Sequence, residues 1–275
     1  MKTFVFAYDR FATMTTPVML DAEGIDHIVL CHTEEQKQKF IEHGTADPKK
    51  LIATGQPKGI ARNRNAALEM MDDDEWALFL VDDMKQITEL RNHDRIKEPE
   101  LPINAKNQGT YAERFKTPIS LKDFMTRCLQ LARYTSSKGG YLAGFCNIDN
   151  PLFRAKHYKY NTLADGRAIL VRKSHLRYDE NVHLQDDYCF TALNLRTFGV
   201  VVINNWVLPD FDRYTTGGAG TKEERMDDKI AECAYLVKHY PEWIDIRDKP
   251  GWPYGSHIAI RQRKKPAHLK APTKR

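Results

Sequence analysis

Short apolar runs rich in β-branched and aromatic residues recur along the first third of the chain. Each predicts a strand, at residues 2–8, 26–32, 49–54 and 76–81. Helical patterns separate these runs. One begins with a capping box from Thr33 to Gln36 and stops at Gly44, and another covers about 60–71. Strands that alternate with helices in this way predict an α/β fold with a mainly parallel sheet flanked by helices.

The second half of the chain shows a less regular alternation, which predicts a mixed sheet. We expect strands at 141–146, 167–172 and 199–204, and helices at 120–134, 186–198 and 221–240. Residues 91–118 are polar and contain three prolines, as in a long surface insertion or a mobile loop. No linker divides the chain clearly. We therefore predict one domain over 1–255, followed by a basic C-terminal tail over 256–275.

The segment that begins at Gly59 is the first candidate for chemistry. A helix start presents unpaired N–H groups and a partial positive charge, which favour phosphate. Arg62 and Arg64 add cations suited to bidentate phosphate contacts, and Asn63 and Asn65 could reach a ribose or a base. Alternatively, these side chains only cap the helix and pair with the acidic turn that follows it.

Two pairs of aspartates are the next candidates. Asp82 and Asp83 follow a buried strand, and ligands of open α/β sheets bind beyond the carboxyl ends of strands. Such a pair suits a divalent ion or sugar hydroxyls; the alternative is a solvated turn or a helix cap. Asp186 and Asp187 open the helix at 186–198, where a carboxylate serves either as a helix cap or as a general base.

Positive charge is concentrated near the end of the chain. The net charge is +5, and the last fifteen residues hold seven Lys and Arg and no acid, including Arg261, Arg263, Lys264 and Lys265. Such a tail either grips nucleic-acid phosphates or only keeps the protein soluble. A second segment, FRAKHYKY, interleaves aromatic and cationic residues, which is typical of nucleic-acid binding. A plain β-hairpin edge explains the pattern about equally well. The residues that could contact DNA are Arg154, Lys156, His157 and Lys159.

Several classes of protein are disfavoured by the sequence. No apolar run approaches the roughly 18–20 residues that a membrane span needs. The five cysteines are scattered without a CxxC pair, which favours free thiols in a reducing compartment, so we expect a cytoplasmic location. The glycine-rich stretch at 214–225 lacks the lysine of a GxxxxGK[ST] P-loop, which argues against a P-loop nucleotidase.

Four segments in order resemble the GT-A-fold glycosyltransferases: GIARNRNAAL, WALFLVDDM, LQDDYCFTALNLRTFG and TTGGAGTKEER. In detail they look most like the TET-associated glycosyltransferases, phage-type enzymes that place sugars on 5-hydroxymethylpyrimidines in DNA. The resemblance implies a GT-A-like, Rossmann-like fold, a nucleotide-sugar donor such as a UDP-sugar, and an acceptor base of the 5-hydroxymethylcytosine type in phage DNA. A phage-encoded enzyme of this kind would act in the host cytoplasm.

The resemblance also implies roles for the candidate residues. The donor would contact the helix start and the strand-end aspartates: Gly59, Arg62, Asn63, Arg64, Asn65, Asp82 and Asp83. Asp187 would be the catalytic base, with Asp186 beside it. Asp82 and Asp83 would hold Mn²⁺ or Mg²⁺, but Met84 stands where the usual motif has a second metal carboxylate, so metal dependence stays open. Two alternatives remain: a glycan or protein acceptor, and an inactive nucleic-acid-binding module.

Overall fold

Three layers make up the fold, with a large sheet between two sets of helices. The computed structural model describes residues 1–56, 59–91, 115–148, 154, 156–212, 225–251 and 253–261. The strands are β1 (Lys2–Phe6), β2 (Ile28–Cys31), β3 (Leu51–Ala53), β4 (Trp76–Val81), β5 (Met84–Leu90), β6 (Lys116–Pro118), β7 (Leu142–Phe145), β8 (Tyr158–Tyr160), β9 (Ala168–Arg172), β10 (Val202–Asn204), β11 (Val207–Phe211), β12 (Ile244–Ile246) and β13 (Ile258–Ile260). The helices are α1 (Thr16–Ala22), α2 (Glu34–His43), α3 (Ile60–Glu69), α4 (Leu121–Ser136), α5 (Asp186–Phe198) and α6 (Met226–His239).

The central sheet has eight strands in the order β3-β2-β1-β4-β9-β7-β10-β8. β9 is antiparallel to both its neighbours, β4 and β7, and β8 is antiparallel to β10. The remaining pairs, β1 with β2, β1 with β4, β2 with β3 and β7 with β10, are parallel. This confirms the mixed α/β fold with a mostly parallel sheet flanked by helices.

The alternation of side chains along β1 shows how the sheet separates two apolar cores. Phe4 and Phe6 point to one face, where each ring packs edge-on against Phe79, at 5.7 and 5.1 Å between centroids. That face is covered by α3, α5 and α6. Val5 points to the other face, which α1, α2 and α4 cover. Period-two alternation thus buries both faces, and the carboxyl ends of the parallel strands form one open edge.

Local signals place several elements where the sequence predicts them. Thr33 Oγ1 accepts a hydrogen bond from the N–H of Gln36 at 3.1 Å and caps α2. Gly44 ends that helix with φ of 65°, which favours glycine. Some elements carried no clear signal, including α1 and the second sheet, in which β5 pairs with β11 and β6.

The folded part of the chain ends later than the sequence predicts. Residues 256–261 were predicted to belong to the basic tail, but Ile258 and Ile260 are buried and β13 pairs with β12. The folded part therefore extends past the boundary predicted at residue 255, because apolar residues alternate there ahead of the charged ones. Most of the predicted insertion at 91–118 lies outside the described residues, as does all but the last residue of the glycine-rich stretch at 214–225.

None of the helices in the described ranges combines the length and the apolar character that crossing a bilayer requires. The five cysteines are free and buried, as their scattered positions predict.

Candidate functional site

A cavity of about 450 Å³ opens at the carboxyl edge of the sheet. It lies where β1, β2 and β4 end and α3 begins, and its wall includes Phe6, Tyr8, Arg10, His32, Asn63 and His183. Clefts of this size with a mostly apolar lining and a few polar groups are typical of small-ligand sites. The position agrees with the expectation that ligands of such sheets bind beyond the strand ends.

Gly59 is the N-cap residue of α3 and lines this cavity. Its φ of 141° and ψ of 122° are accessible to glycine and strained for other residues. Within the described residues no side chain caps α3, and Gly59 and Ile60 line the cavity, so the start of the helix opens onto it. A Cβ at this position would lie 3.2 Å from Nδ1 of His183, so glycine also allows that ring to approach closely.

Asn63 braces one wall of the cavity. Its Oδ1 accepts a hydrogen bond from the Thr54 hydroxyl at 2.7 Å, and its Nδ2 lies 3.3 Å from Nε2 of His32. The His32 ring in turn packs edge-on against Tyr8, at 5.5 Å between centroids. The result is a fixed aromatic wall, which suits a planar base. Asn63 thus lines the cavity as predicted, with its amide largely engaged in supporting that wall.

Arg62 and Asn65 do not line the cavity, contrary to the prediction that they contact a donor. Arg62 Nε donates to Glu180 at 3.2 Å on the outer side of α3. The Asn65 amide is buried against the Tyr178 backbone, donating to its carbonyl at 3.0 Å and accepting from its N–H at 2.8 Å. The helical turn carries these side chains towards the segment before α5.

Arg64 was also predicted to contact the donor, but its side chain is only 2% exposed. It forms an ion pair with Asp186 and donates to the carbonyl of Gly166. Its guanidinium lies between the rings of Phe6 and Tyr178, at 5.7 and 5.3 Å from their centroids. Burial alone would lower the pKa of Arg64, but the nearby acidic groups together, with Asp186 foremost and Asp187 and Asp165 adding to it, more than offset this effect and raise the pKa. Arg64 is therefore a buried internal cation.

The sequence suggested a catalytic role for Asp186, but its position in the structure does not suit one. Its carboxylate is committed to Arg64, and its side chain is 9% exposed. Burial raises the pKa of Asp186 against the opposing charge of that arginine. Its part in the site is to fix the first turn of α5.

Asp187 is the accessible member of the pair. It is half-buried, and its carboxylate accepts hydrogen bonds from the N–H of Gly166 at 3.3 Å and of Tyr188 at 2.8 Å. Burial, together with the negative charges of Asp186 and Asp165, raises the pKa of Asp187 to about 7. A carboxylate with a pKa near neutrality suits general base catalysis at physiological pH.

Gly166 packs into the contact between these groups. A Cβ there would lie 2.7 and 2.9 Å from the two terminal guanidinium nitrogens of Arg64, and 3.1 Å from Cβ of Asp187. A side chain at this position would therefore force the buried guanidinium of Arg64 to move, which favours glycine. The turn that contains Gly166 thereby supports both the buried ion pair and the candidate base.

Asp82 and Asp83 do lie at the strand end, but a cation of the protein already bridges them. Arg10 Nη1 contacts Asp82 Oδ1 at 2.7 Å and Asp83 Oδ2 at 2.8 Å. Burial raises the pKa of Asp83 to about 6, and the charge of Arg10 opposes that rise. Among the described residues no group of three or more His, Cys, Asp or Glu could hold a metal ion. The residues therefore do not fit the Mn²⁺ or Mg²⁺ expected at this pair.

Asp165 and Arg167 join the site although no sequence pattern marked them. The Arg167 guanidinium donates to both oxygens of Asp165, at 2.8 and 2.7 Å, and Asn147 donates to Asp165 at 3.2 Å. Burial opposes ionisation of Asp165, but the Arg167 fork lowers its pKa overall. This fixed negative charge is one of those that raise the pKa of Asp187.

A second cavity of about 910 Å³ adjoins the same region. Its lining includes Tyr188, which follows the candidate base directly, and Asn147, which binds Asp165. Three cationic residues also line it: Lys159, Arg247 and Arg261. Lys159 and Arg261 were predicted to contact DNA, and the structure brings them to one cavity although they lie far apart in the chain. Arg261 also pairs with Asp245.

The other residues predicted to contact DNA have different positions. Arg154 is fully buried and donates to the carbonyls of Asn205 and Trp206, at 2.9 and 2.7 Å, so it cannot reach a phosphate. Its role is to satisfy the backbone next to β10. The ring of His157 stacks on Trp206, at 3.9 Å between centroids, and Lys156 is exposed. Arg263, Lys264 and Lys265 lie outside the described residues.

Glu232 on α6 holds the turn that leads into Asp186 and Asp187. Its carboxylate accepts hydrogen bonds from three consecutive N–H groups, those of His183 at 2.7 Å and of Leu184 and Gln185 at 2.9 Å. The residue is 8% exposed. A glutamate on the buried face of an otherwise amphipathic helix was the available signal, and the sequence reading did not use it.

Replacing Glu232 by glutamine is expected to destabilise the protein by about 1–3 kcal/mol, because an amide cannot match a carboxylate that accepts three hydrogen bonds. We expect a lower melting temperature in thermal unfolding. Glu35→Gln is the matched control, since Glu35 is exposed on α2 and, among the described residues, pairs with Lys39. Equal melting temperatures for the two variants would contradict a structural role for Glu232.

No model of a known protein family matches the chain, and the search of curated proteins finds no similar sequence. Function must therefore be inferred from the residues and their arrangement.

Proposed function

We propose that the protein is a nucleotide-sugar-dependent glycosyltransferase with a GT-A-like fold, which transfers a sugar to the hydroxymethyl group of a modified pyrimidine in DNA. One observation carries the proposal. The segment from His183 to Asp187 lines the cavity at the sheet edge at one end and supplies a carboxylate with a pKa of about 7 at the other. A ligand cavity and a candidate base are thus parts of one rigid turn.

The cavity at the sheet edge suits a nucleoside diphosphate donor. Phe6, Tyr8 and His32 provide an aromatic and apolar wall for the base. The uncapped start of α3 at Gly59 favours phosphate, because its N–H groups and the helix dipole attract negative charge. Arg10 adds a positive charge to the lining of the same cavity.

Asp187 supports a direct displacement at the sugar. Its carboxylate takes the proton of the acceptor hydroxyl, and the acceptor oxygen forms a bond to the anomeric carbon. The bond between that carbon and the diphosphate oxygen breaks, and the electron pair leaves with the nucleoside diphosphate. The charge that develops on the leaving group is offset by the start of α3 and by Arg10, which are fixed before the reaction.

The second cavity favours a nucleic-acid acceptor. Its volume of about 910 Å³ can admit a base extruded from a duplex, and its lining includes Tyr188, the residue that follows the candidate base in the chain. Lys159, Arg247 and Arg261 give its lining the positive charge that a phosphate backbone requires. A neutral glycan acceptor has no need of these cations.

Mass analysis of nucleosides tests the proposal. DNA containing 5-hydroxymethylcytosine or 5-hydroxymethyluracil is incubated with the protein and a panel of sugar nucleotides, then digested. We expect one donor to add the mass of one sugar to one of the two bases. Asp187→Asn should add none, and Asp73→Asn, an exposed aspartate of the turn before β4, should behave as wild type.

The alternatives give different results. Hydrolysis of the donor without modification of the base would indicate a glycan or protein acceptor instead. DNA binding without turnover of any sugar nucleotide would indicate an inactive binding module, and either result would overturn the proposal.

A further inference from the structure

We infer that Arg10 takes the place of a divalent cation in this protein and holds the diphosphate of the donor directly. The inference deepens the proposed function and rests on it. It concerns the aspartate pair at the end of β4, which the sequence predicts as a metal site.

Arg10 is placed between the two carboxylates. A single nitrogen, Nη1, contacts Asp82 at 2.7 Å and Asp83 at 2.8 Å, and the three side chains are 16%, 3% and 7% exposed. The N–H of Tyr8 also donates to Asp82, at 3.2 Å. A charge held by two nearly buried carboxylates is fixed in position, as a bound metal ion would be.

A divalent ion would need the same oxygens and would lie next to a positive charge. Hard cations take about six or more oxygen ligands, and Arg10 already occupies one oxygen of each aspartate. The other ligands would have to be waters, substrate phosphates or a further carboxylate. The Met84 side chain, which follows the pair, is fully buried in the core. Asp212, whose negative charge also acts on Asp83, is paired with Lys85. The described residues therefore offer no third ligand to draw a divalent ion past Arg10.

Arg10 also has bonding capacity left for a ligand. It lines the cavity that we assign to the donor, and its contacts with Asp82 and Asp83 both involve the same nitrogen, Nη1. The planar guanidinium presents several N–H groups and suits bidentate contact with phosphate oxygens. A nucleoside diphosphate is therefore the ligand class that the free side of this guanidinium fits.

Binding of Mn²⁺, followed by electron paramagnetic resonance, tests the inference without any need for catalysis. We expect the wild-type protein to bind no Mn²⁺ at concentrations up to about 1 mM, well above the range of dedicated high-affinity cation sites. Arg10→Ala exposes the two carboxylates and leaves Asp83 Oδ1, which has no hydrogen-bond partner in the part of the chain that the structure describes, free to act as a ligand. This variant is expected to gain Mn²⁺ binding, and Arg10→Ala/Asp83→Asn to lose it again.

Binding of UDP gives the second arm. Wild-type affinity is expected to be equal within about twofold in Mg²⁺ and in EDTA, and Arg10→Ala to weaken it by about 10–100-fold, as for loss of a charged hydrogen bond. Arg10→Lys should be intermediate, since it keeps the charge and loses the fork. Arg172→Ala is the matched control, because that arginine pairs with Asp74 at the opposite edge of the sheet.

The two arms separate failure of this inference from failure of the proposed function. The role of Arg10 would be overturned if the wild-type protein binds Mn²⁺ and Asp83→Asn abolishes that binding. It would also be overturned if EDTA removes the binding of UDP to the wild-type protein. These wild-type measurements decide the matter even if Arg10→Ala fails to fold. Absence of any sugar-nucleotide binding would overturn the proposed function, whereas the Mn²⁺ result would still decide whether Arg10 excludes the ion.

Discussion

Replacing Asp187 by asparagine is expected to lower sugar transfer by about a thousandfold, within the range that general bases contribute. The amide keeps the size of the side chain and can still accept a hydrogen bond from the N–H of Gly166 or Tyr188, so the turn should hold its shape. It cannot take a proton from the acceptor hydroxyl. We therefore expect the loss in kcat, with little change in the affinity for UDP. Asp73→Asn is the control for the loss of one surface carboxylate.

The pH dependence of the reaction follows from the same residue. Because burial and the neighbouring carboxylates raise the pKa of Asp187 to about 7, the wild-type rate should rise with pH and level off above that value. The residual activity of the asparagine variant should show no step near pH 7. A wild-type rate that is constant from pH 5 to 9 would contradict the assignment of Asp187 as the base.

The stability of the folded wild-type protein should fall over the pH range in which its reaction rate rises. A carboxylate whose folded pKa lies above its unfolded value contributes stability that is present below the unfolded pKa of about 4, and that contribution is lost as pH rises towards 7. Asp187→Asn removes this cost. Allowing for solvent screening of a half-buried group, we expect the free energy of unfolding to rise by about 2 kcal/mol at pH 8, and the melting temperature by about 5 °C. At pH 4 we expect almost no change in either. Thermal melts at both pH values measure the difference.

The second large effect is expected at Arg64. Arg64→Met should destabilise the protein by about 3–5 kcal/mol, because it leaves the Asp186 carboxylate buried without its partner. Methionine retains much of the apolar contact with Phe6 and Tyr178, so the loss reflects mainly the uncompensated charge. Urea unfolding measures it. Arg172→Met, which breaks the exposed pair with Asp74, should cost less than about 1 kcal/mol.

A double variant separates charge from packing at this site. Arg64→Met/Asp186→Asn removes both charges, and it should recover much of the stability that Arg64→Met loses. If the double variant is no more stable than the single one, the destabilisation comes from lost contacts of the guanidinium, and the ion-pair explanation is wrong.

Periodicity in the sequence predicts much of the fold. The runs that become β1, β2, β4 and β9 are apolar enough to identify, since both faces of the sheet are covered. β5 and β11 were missed, because polar residues interrupt their apolar pattern and they pair only with each other and with β6. Tertiary pairing supplies what the local signal lacks.

The candidate site was harder to predict, because residue type does not show which way a side chain points. Arg64 and Arg154 have the chemistry of phosphate ligands, yet packing with segments far along the chain buries both. Arg10 was missed for the converse reason. It meets Asp82 across a separation of 72 residues, and no local pattern records such a pair. Asp187 could be proposed as a base from the sequence because its position at a helix start is a local feature.

The close packing at Gly166 restricts how this protein can evolve. A side chain at that position would collide with the guanidinium of Arg64, so Gly166 cannot gain a side chain freely while Arg64 remains. A lineage that replaced the glycine would have to give up the arginine, and with it the partner of Asp186. We therefore expect Gly166, Arg64 and Asp186 to be inherited as a unit among relatives of this chain, and to be replaced together where they are replaced at all.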